Sequence, residues 1–106
     1  KEGDDNQAIN VYSAGIQLYP ENVEMATDLG LIYLKLGDYS EALNRFGFVL
    51  AHDPSFAKAL LATGSIMQKY KEYDMALTKY KVATKYWPES AALWNNIGMC
   101  FFGKKK

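Results

Sequence analysis

Apolar side chains recur along this chain at the three- and four-residue spacing of helix faces. Ile9, Tyr12, Ile16 and Tyr19 make one such row, and Ala26, Leu29, Ile32 and Tyr33 make another. Asp5 and Asn6 are placed to cap the first helix, and Pro20 ends it, because the residue before a proline avoids the helical region. Asn22 caps a second helix to about Leu36, which Gly37 stops. Asp38, with Glu41 three residues later, reads as a capping-box-like start for a helix to about His52. Ser55 reads as the cap of a helix from about Phe56 to Tyr70. The turn Lys71 to Tyr73 lacks the glycine found at Gly37, so it reads as looser, and it leads to a helix from about Asp74 to Tyr86. Ser90 caps a last helix to about Phe102. The prediction is an all-α chain of six helices, with short connections that make neighbours antiparallel.

Those helices are copies of one unit. Gly30, Gly64 and Gly98 are 34 residues apart; so are Ala8, Ala42 and Ala76; so are Pro20, Pro54 and Pro88; and Tyr12, Phe46 and Tyr80 keep the same step. Four series in one register mark an internal repeat.

A 34-residue period with L-G-x-x-Y at Leu29, Gly30 and Tyr33, A-x-x-x-F at Ala42 and Phe46, then Pro54, resembles the tetratricopeptide repeat family. The next copy reads Thr63, Gly64, Met67, Ala76, Tyr80 and Pro88, with Thr63 and Met67 the weak matches. The last reads Trp94, Ile97, Gly98 and Phe101. The resemblance implies a solenoid of helical hairpins wound as a right-handed superhelix. Residues 1–22 are then the second helix of an incomplete repeat, 23–56 and 57–90 are complete repeats, and 91–106 is the first helix of a truncated one. Because the chain opens on Lys1 and ends just after a helix, it reads as a fragment of one larger repeat domain, and self-association through its uncovered ends is expected.

Mid-helix glycine costs about 1 kcal/mol relative to alanine, so Gly30, Gly64 and Gly98 call for an offsetting contact. Close approach of the paired helix at Ala42 or Ala76 is the expected one, with Phe46 and Tyr80 filling the space between successive hairpins.

Composition narrows the function. Twelve basic and twelve acidic residues cancel, so there is no electrostatic footprint for nucleic acid or an anionic membrane. Most of the aromatic residues fall on repeat core slots, which makes a base-stacking surface a poor reading. No run approaches the ~18 apolar residues that span a bilayer, and no secretory segment is evident. One cysteine and no N-x-S/T acceptor read as an intracellular chain.

Chemistry is equally sparse. His52 occupies the slot of Leu18 and Tyr86 and reads as a helix-end packing residue. Cys100 occupies the slot of Ile32 and Ile66 and reads as a buried small hydrophobe. No phosphate-cradling loop, zinc spacing or calcium loop is present, so no catalytic residue, cofactor or metal ligand is expected. Lys104, Lys105 and Lys106, the one charge run, fall on the solvated turn held by Leu36, Gly37 and Asp38 one repeat pair earlier.

In the family the first helix of each repeat lines a concave groove at its second, fifth, ninth and twelfth positions. Carried onto this sequence, those positions are Glu24, Thr27, Leu31 and Leu34; Lys58, Leu61, Ser65 and Gln68; Ala92, Asn95, Met99 and Phe102. Leu31, Leu34, Leu61, Met99 and Phe102 form an apolar patch suited to a partner's amphipathic helix or extended segment, or to another part of a longer chain. Co-chaperone repeats clamp a chaperone's terminal carboxylate with lysines, asparagines and an arginine. Those slots here hold Thr27, Leu31, Ala62, Ala92 and Asn96, which excludes the cationic clamp. Substrate-selecting arms of repeat-bearing glycosyltransferases carry an asparagine ladder, whereas here only Asn95 and Asn96 stand in the groove.

Residues 60–106, above all ALTKYKV at 76–82, PES at 88–90 and LWNNIGMCFFGKKK at 93–106, resemble the repeat subunits of the BBSome more specifically than the repeat consensus requires. Residues 1–55 fit more loosely, through PEN at 20–22 and LGLIYLKLG at 29–37. This resemblance implies a non-enzymatic subunit of a coat-like complex that moves membrane proteins into and out of cilia. It also implies contacts with other BBSome subunits and with pericentriolar or motor-adaptor proteins, and a location at the cilium, basal body and centrosomal region. Membrane contact is implied only through the complex. The same fold could also serve another large assembly, such as a ubiquitin ligase complex.

Overall fold

The computed structural model describes residues 2–105. Six helices follow one another: α1 (Glu2–Leu18), α2 (Val23–Lys35), α3 (Tyr39–His52), α4 (Ala57–Lys69), α5 (Tyr73–Thr84) and α6 (Ala91–Lys104). Packing divides the chain between Pro54 and Ser55 into two compact units of three helices each.

In the first unit α2 packs between α1 and α3. Ala26, Leu29, Ala42, Phe46 and Val49 have at most 1% of their surface exposed, and this apolar layer holds the helices together. Asn22 caps α2 by accepting the Met25 N–H (3.1 Å), and Asp38 caps α3 by accepting the Glu41 N–H (3.2 Å). The expected capping box is only half formed. The Asp38 N–H is taken by the Tyr33 carbonyl, and the Glu41 carboxylate pairs forward with Arg45 at 3.3 Å. The first helix does not start at Asp5 or Asn6. It runs from Glu2, and Asp5 forms an ion pair with Lys35 of α2 at 3.3 Å. Acidic residues in a first turn suit the helix dipole, so the helix extends through them. Tyr19, expected on the inward row, lies beyond the end of α1 and is exposed.

The second unit repeats the plan with α5 between α4 and α6. Its core is Leu60, Ile66, Ala76, Leu77, Tyr80, Ala83, Leu93 and Cys100. Ser90 caps α6 by accepting the Leu93 N–H at 3.2 Å. The cap of α4 is Phe56 rather than the expected Ser55, and it has no capping side chain. The 34-residue register places Phe56 in the slot of Asn22 and Ser90, so the repeat spacing outranks the local serine. Thr63 stands where Leu29 and Ile97 stand in the other copies, and its buried hydroxyl finds no hydrogen-bond partner among the described residues. The helix expected from Asp74 to Tyr86 runs from Tyr73 to Thr84 instead, with Glu72 as its cap.

The glycine contact differs from expectation. A Cβ on Gly30 would lie 2.6 Å from Cε1 of Phe46, and one on Gly64 would lie 2.5 Å from Cε1 of Tyr80. The offsetting contact is therefore an aromatic ring of the second helix seated on the glycine of the first, inside one hairpin. Ala42 and Ala76 are buried, and the groups nearest the glycines are the rings of Phe46 and Tyr80. At Gly98 a Cβ would meet nothing within 4 Å.

The turn at Lys71 is as tight as the one at Gly37. Gly37 (φ +81°) donates to Leu34 and Asp38 donates to Tyr33; Lys71 (φ +62°) donates to Gln68 and Glu72 donates to Met67. Both are the paired C-terminal bonds of a Schellman motif. The looser turn expected from the missing glycine is not formed, because the bonds it closes outweigh the left-handed strain on lysine, about 1–2 kcal/mol. Lys71→Gly removes that strain while adding roughly 0.5–1 kcal/mol of backbone entropy to the unfolded chain. The expected result is a gain of up to about 1 kcal/mol, read as a higher denaturant midpoint at unchanged slope.

Candidate functional site: the outward rows of α2, α4 and α6

The candidate positions stand on three helices whose cores are pinned from behind, so their outward rows are held by rigid backbone. On α2, Glu24 and Leu31 are exposed and Leu34 is half-buried. Thr27, expected in the same row, is 1% exposed, and its hydroxyl donates to the Val23 carbonyl at 2.7 Å. A short β-branched side chain closes onto its own helix there instead of projecting outward.

On α4, Lys58 is exposed and Leu61, Ser65 and Gln68 are half-buried. Gln68 accepts a hydrogen bond from the Tyr80 hydroxyl at 2.5 Å, so its amide oxygen serves the core. On α6, Ala92, Asn95, Met99 and Phe102 are exposed, and the Asn95 amide donates to the Met99 Sδ at 3.9 Å. The rows carry apolar surface and a few amides, with Glu24 and Lys58 the charged members. Such surface binds by burying a partner's apolar side chains, with hydrogen bonds setting register.

The single histidine and the single cysteine are engaged in structure. His52 lies in the last turn of α3 with its ring 4.4 Å from that of Phe48 and Nδ1 3.1 Å from the Phe48 carbonyl. Cys100 is buried, and burial raises its thiol pKa, which keeps it protonated and unreactive. Among the described residues no three His, Cys, Asp or Glu side chains converge as a metal site would require, and no helix is long and apolar enough to cross a membrane. Lys104 belongs to α6 and pairs with Asp74 at 2.6 Å, Lys105 is the exposed C-cap, and Lys106 lies outside the described residues. A cleft of about 220 Å³ between Ile16, Pro20, Ala26, Asn44, Arg45 and Phe48 falls below the ~300 Å³ at which drug-sized ligand pockets begin.

Two marker aromatics of the last repeat copy are exposed. Trp94 and Phe101 are 51% and 49% exposed, although the register partners of Trp94, Ala26 and Leu60, are buried and those of Phe101, Tyr33 and Met67, are half-buried.

A tetratricopeptide repeat family profile matches residues 1–63. The chain is 52% identical over 105 residues to the BBSome complex member BBS4 of Bos taurus, covering 99% of this chain and 20% of that protein. It is 41% identical over 104 residues to the BBSome complex member bbs-4 of Caenorhabditis elegans, covering 98% of this chain and 22% of that one. The chain thus spans about a fifth of the length of these curated relatives. Among solved structures, the first repeat domain of Spaghetti (RPAP3) bound to an HSP90 peptide superposes with a TM-score of 0.91 at 20% identity, covering all of this chain and 84% of that one. That likeness carries the all-α repeat fold alone.

Proposed function

The chain belongs to the tetratricopeptide repeat family, and on that premise we propose that it is a non-enzymatic scaffold segment of a BBSome subunit. The observation that carries this reading is the 52% identity maintained over 99% of the chain. A hairpin repeat needs only its glycines, small residues, aromatics and prolines, so identity on that scale extends to surface positions the fold leaves free. Other BBSome subunits are the partners, with pericentriolar or motor-adaptor proteins beyond them, and the protein works at the cilium, basal body and centrosomal region. It meets membrane through the complex. The repeats divide at 22/23, 56/57 and 90/91. Leu31, Leu34, Lys58, Leu61, Ser65, Gln68, Asn95, Met99 and Phe102 are the partner-facing positions, with Thr27 supporting them from beneath.

Affinity purification of the tagged protein from ciliated cells, with mass spectrometry of what co-purifies, tests the proposal. A stoichiometric set of BBSome subunits is expected, and Met99→Asp, at a position more than half exposed, is expected to reduce that set with little change in the thermal midpoint. Recovery of a glycosyltransferase or ubiquitin ligase assembly in its place overturns the function and leaves the fold standing.

A further inference from the structure

A net charge of zero conceals a division of charge along the chain. The first compact unit, residues 1–54, carries nine acidic and three basic side chains, and the second, residues 55–106, carries three acidic and nine basic ones. With the histidine neutral, the first unit is −6 and the second +6. In the second unit the outward face of α5 is basic. Lys81 and Lys85 are exposed there one helical turn apart, and Lys79 is half-buried on the other flank of the same face. Between them run Met75, Thr78 and Val82 at the i, i+3, i+7 spacing of one helix row, with Met75 49% exposed. Like charges four residues apart on a helix repel. Asp74, in the first turn of α5, is held by Lys104 at 2.6 Å, and none of these three lysines has an ion-pair partner among the described residues.

Lysine in a last helical turn suits the helix dipole, which gives Lys81 and Lys85 a local stabilising role. The repeat does not require them, however. The same slots hold Ser13 and Gln17 in α1 and Gly47 and Ala51 in α3, and those helices end without them. Gly47 and Ala51 are exposed although three helices follow α3, so this row faces solvent where the chain continues. We infer that the outward face of α5 docks a short acidic segment of a protein partner, whose carboxylates pair with Lys81 and Lys85 while the field of Lys79 reinforces them. Lys81 and Lys85 stand about 6 Å apart along the helix axis, and two residues of extended chain span nearly the same length. Acidic residues at alternate positions of an extended segment match that spacing, and their methylene stems cover Val82 and Met75. A bilayer or a long nucleic acid is an extended polyanion and meets the charge of the whole chain, in which the acidic unit cancels the basic one. A short segment meets the basic unit alone. This face lies apart from the outward rows of α2, α4 and α6, and its chemistry does not depend on which assembly the chain serves.

Titration of the isotope-labelled whole chain with millimolar Glu-Ser-Glu-Ser-Glu peptide, followed by backbone amide shifts, tests this, with Gln-Ser-Gln-Ser-Gln as the uncharged control. Saturable shifts are expected around Lys79, Lys81 and Lys85, weakening as added salt screens the exposed pairs. Lys81→Gln combined with Lys85→Gln is expected to weaken binding roughly 2- to 30-fold, the combined worth of two exposed ion pairs. Both side chains are exposed, so the fold is kept, and circular dichroism checks this. Lys71→Gln combined with Lys105→Gln removes the same charge from exposed positions off this face and is expected to weaken binding less. Absence of saturable shifts, equal binding of the glutamine peptide, or an equal loss in the two double variants overturns the site. Tighter binding of phosphatidylserine vesicles or of a thymidine oligonucleotide than of the acidic peptide overturns the assignment of a protein segment as the occupant.

Discussion

Gly64→Leu is expected to destabilise the protein by about 3 kcal/mol or more, one of the largest effects of any single substitution here. The first added carbon would already lie 2.5 Å from Cε1 and 2.8 Å from Cζ of Tyr80. That ring is 0% exposed and its hydroxyl is tied to Gln68, so it has no free volume into which to swing. Overpacking alone costs roughly 1–3 kcal/mol. Expelling a buried aromatic from its seat adds part of the roughly 3–5 kcal/mol that its removal would cost. At about 4–8 °C per kcal/mol for a domain of this size, the thermal midpoint should fall by more than about 10 °C. Gly98→Ala is the matched control. It offers the same helical gain of about 1 kcal/mol against open space, so it should raise the midpoint. Melts of dilute protein check both, and an unchanged midpoint for Gly64→Leu would mean that the ring does not rest on the glycine.

The second large effect is alkaline. Burial first, and then the field of the Cys100 thiolate, push the Tyr80 phenol from its ordinary value of 10.0 up to about 12. The fold therefore favours the neutral phenol. An unfolded chain loses this proton near pH 10 while the folded chain holds it to about pH 12. The associated stability is fully present below pH 10 and is lost as pH rises to about 12, a fall of roughly 2–3 kcal/mol at about 1.4 kcal/mol per unit. Cys100, also raised by burial, begins its own smaller loss at lower pH in the same direction. In Tyr80→Phe the denaturant midpoint should start lower, for want of the hydrogen bond to Gln68, and then decline less between pH 10 and 12. Parallel profiles for the two proteins would show that Tyr80 ionises freely in the fold.

Helix number, helix order and the hairpin plan were legible in the sequence because a repeat writes them several times over. The register is also the better guide where local signals mislead. Ser55 carries a capping side chain, yet the helix starts after Phe56, one period from Asn22 and Ser90. Asp5 resembles a cap, yet it is drawn into an ion pair with Lys35 that no local pattern announces. The outward rows were legible as positions but not as surfaces. Thr27 shares its spacing with Leu31 and Leu34, but its hydroxyl turns back to the helix and its surface is covered. Gln68 is committed to Tyr80 across twelve residues of chain.

By itself, the amino-acid order determined which segments are helical, where each hairpin turns and which residues are equivalent, because those properties follow from spacing and from local backbone preferences. Only the tertiary structure decided which equivalent residues are equivalent in environment. Gly30, Gly64 and Gly98 are one residue in one register, yet two lie under aromatic rings and the third is open. Gly37 and Lys71 adopt one backbone conformation despite opposite intrinsic preferences. Burial depends on what packs against a side chain, and that neighbour is set by the fold rather than by position in a period.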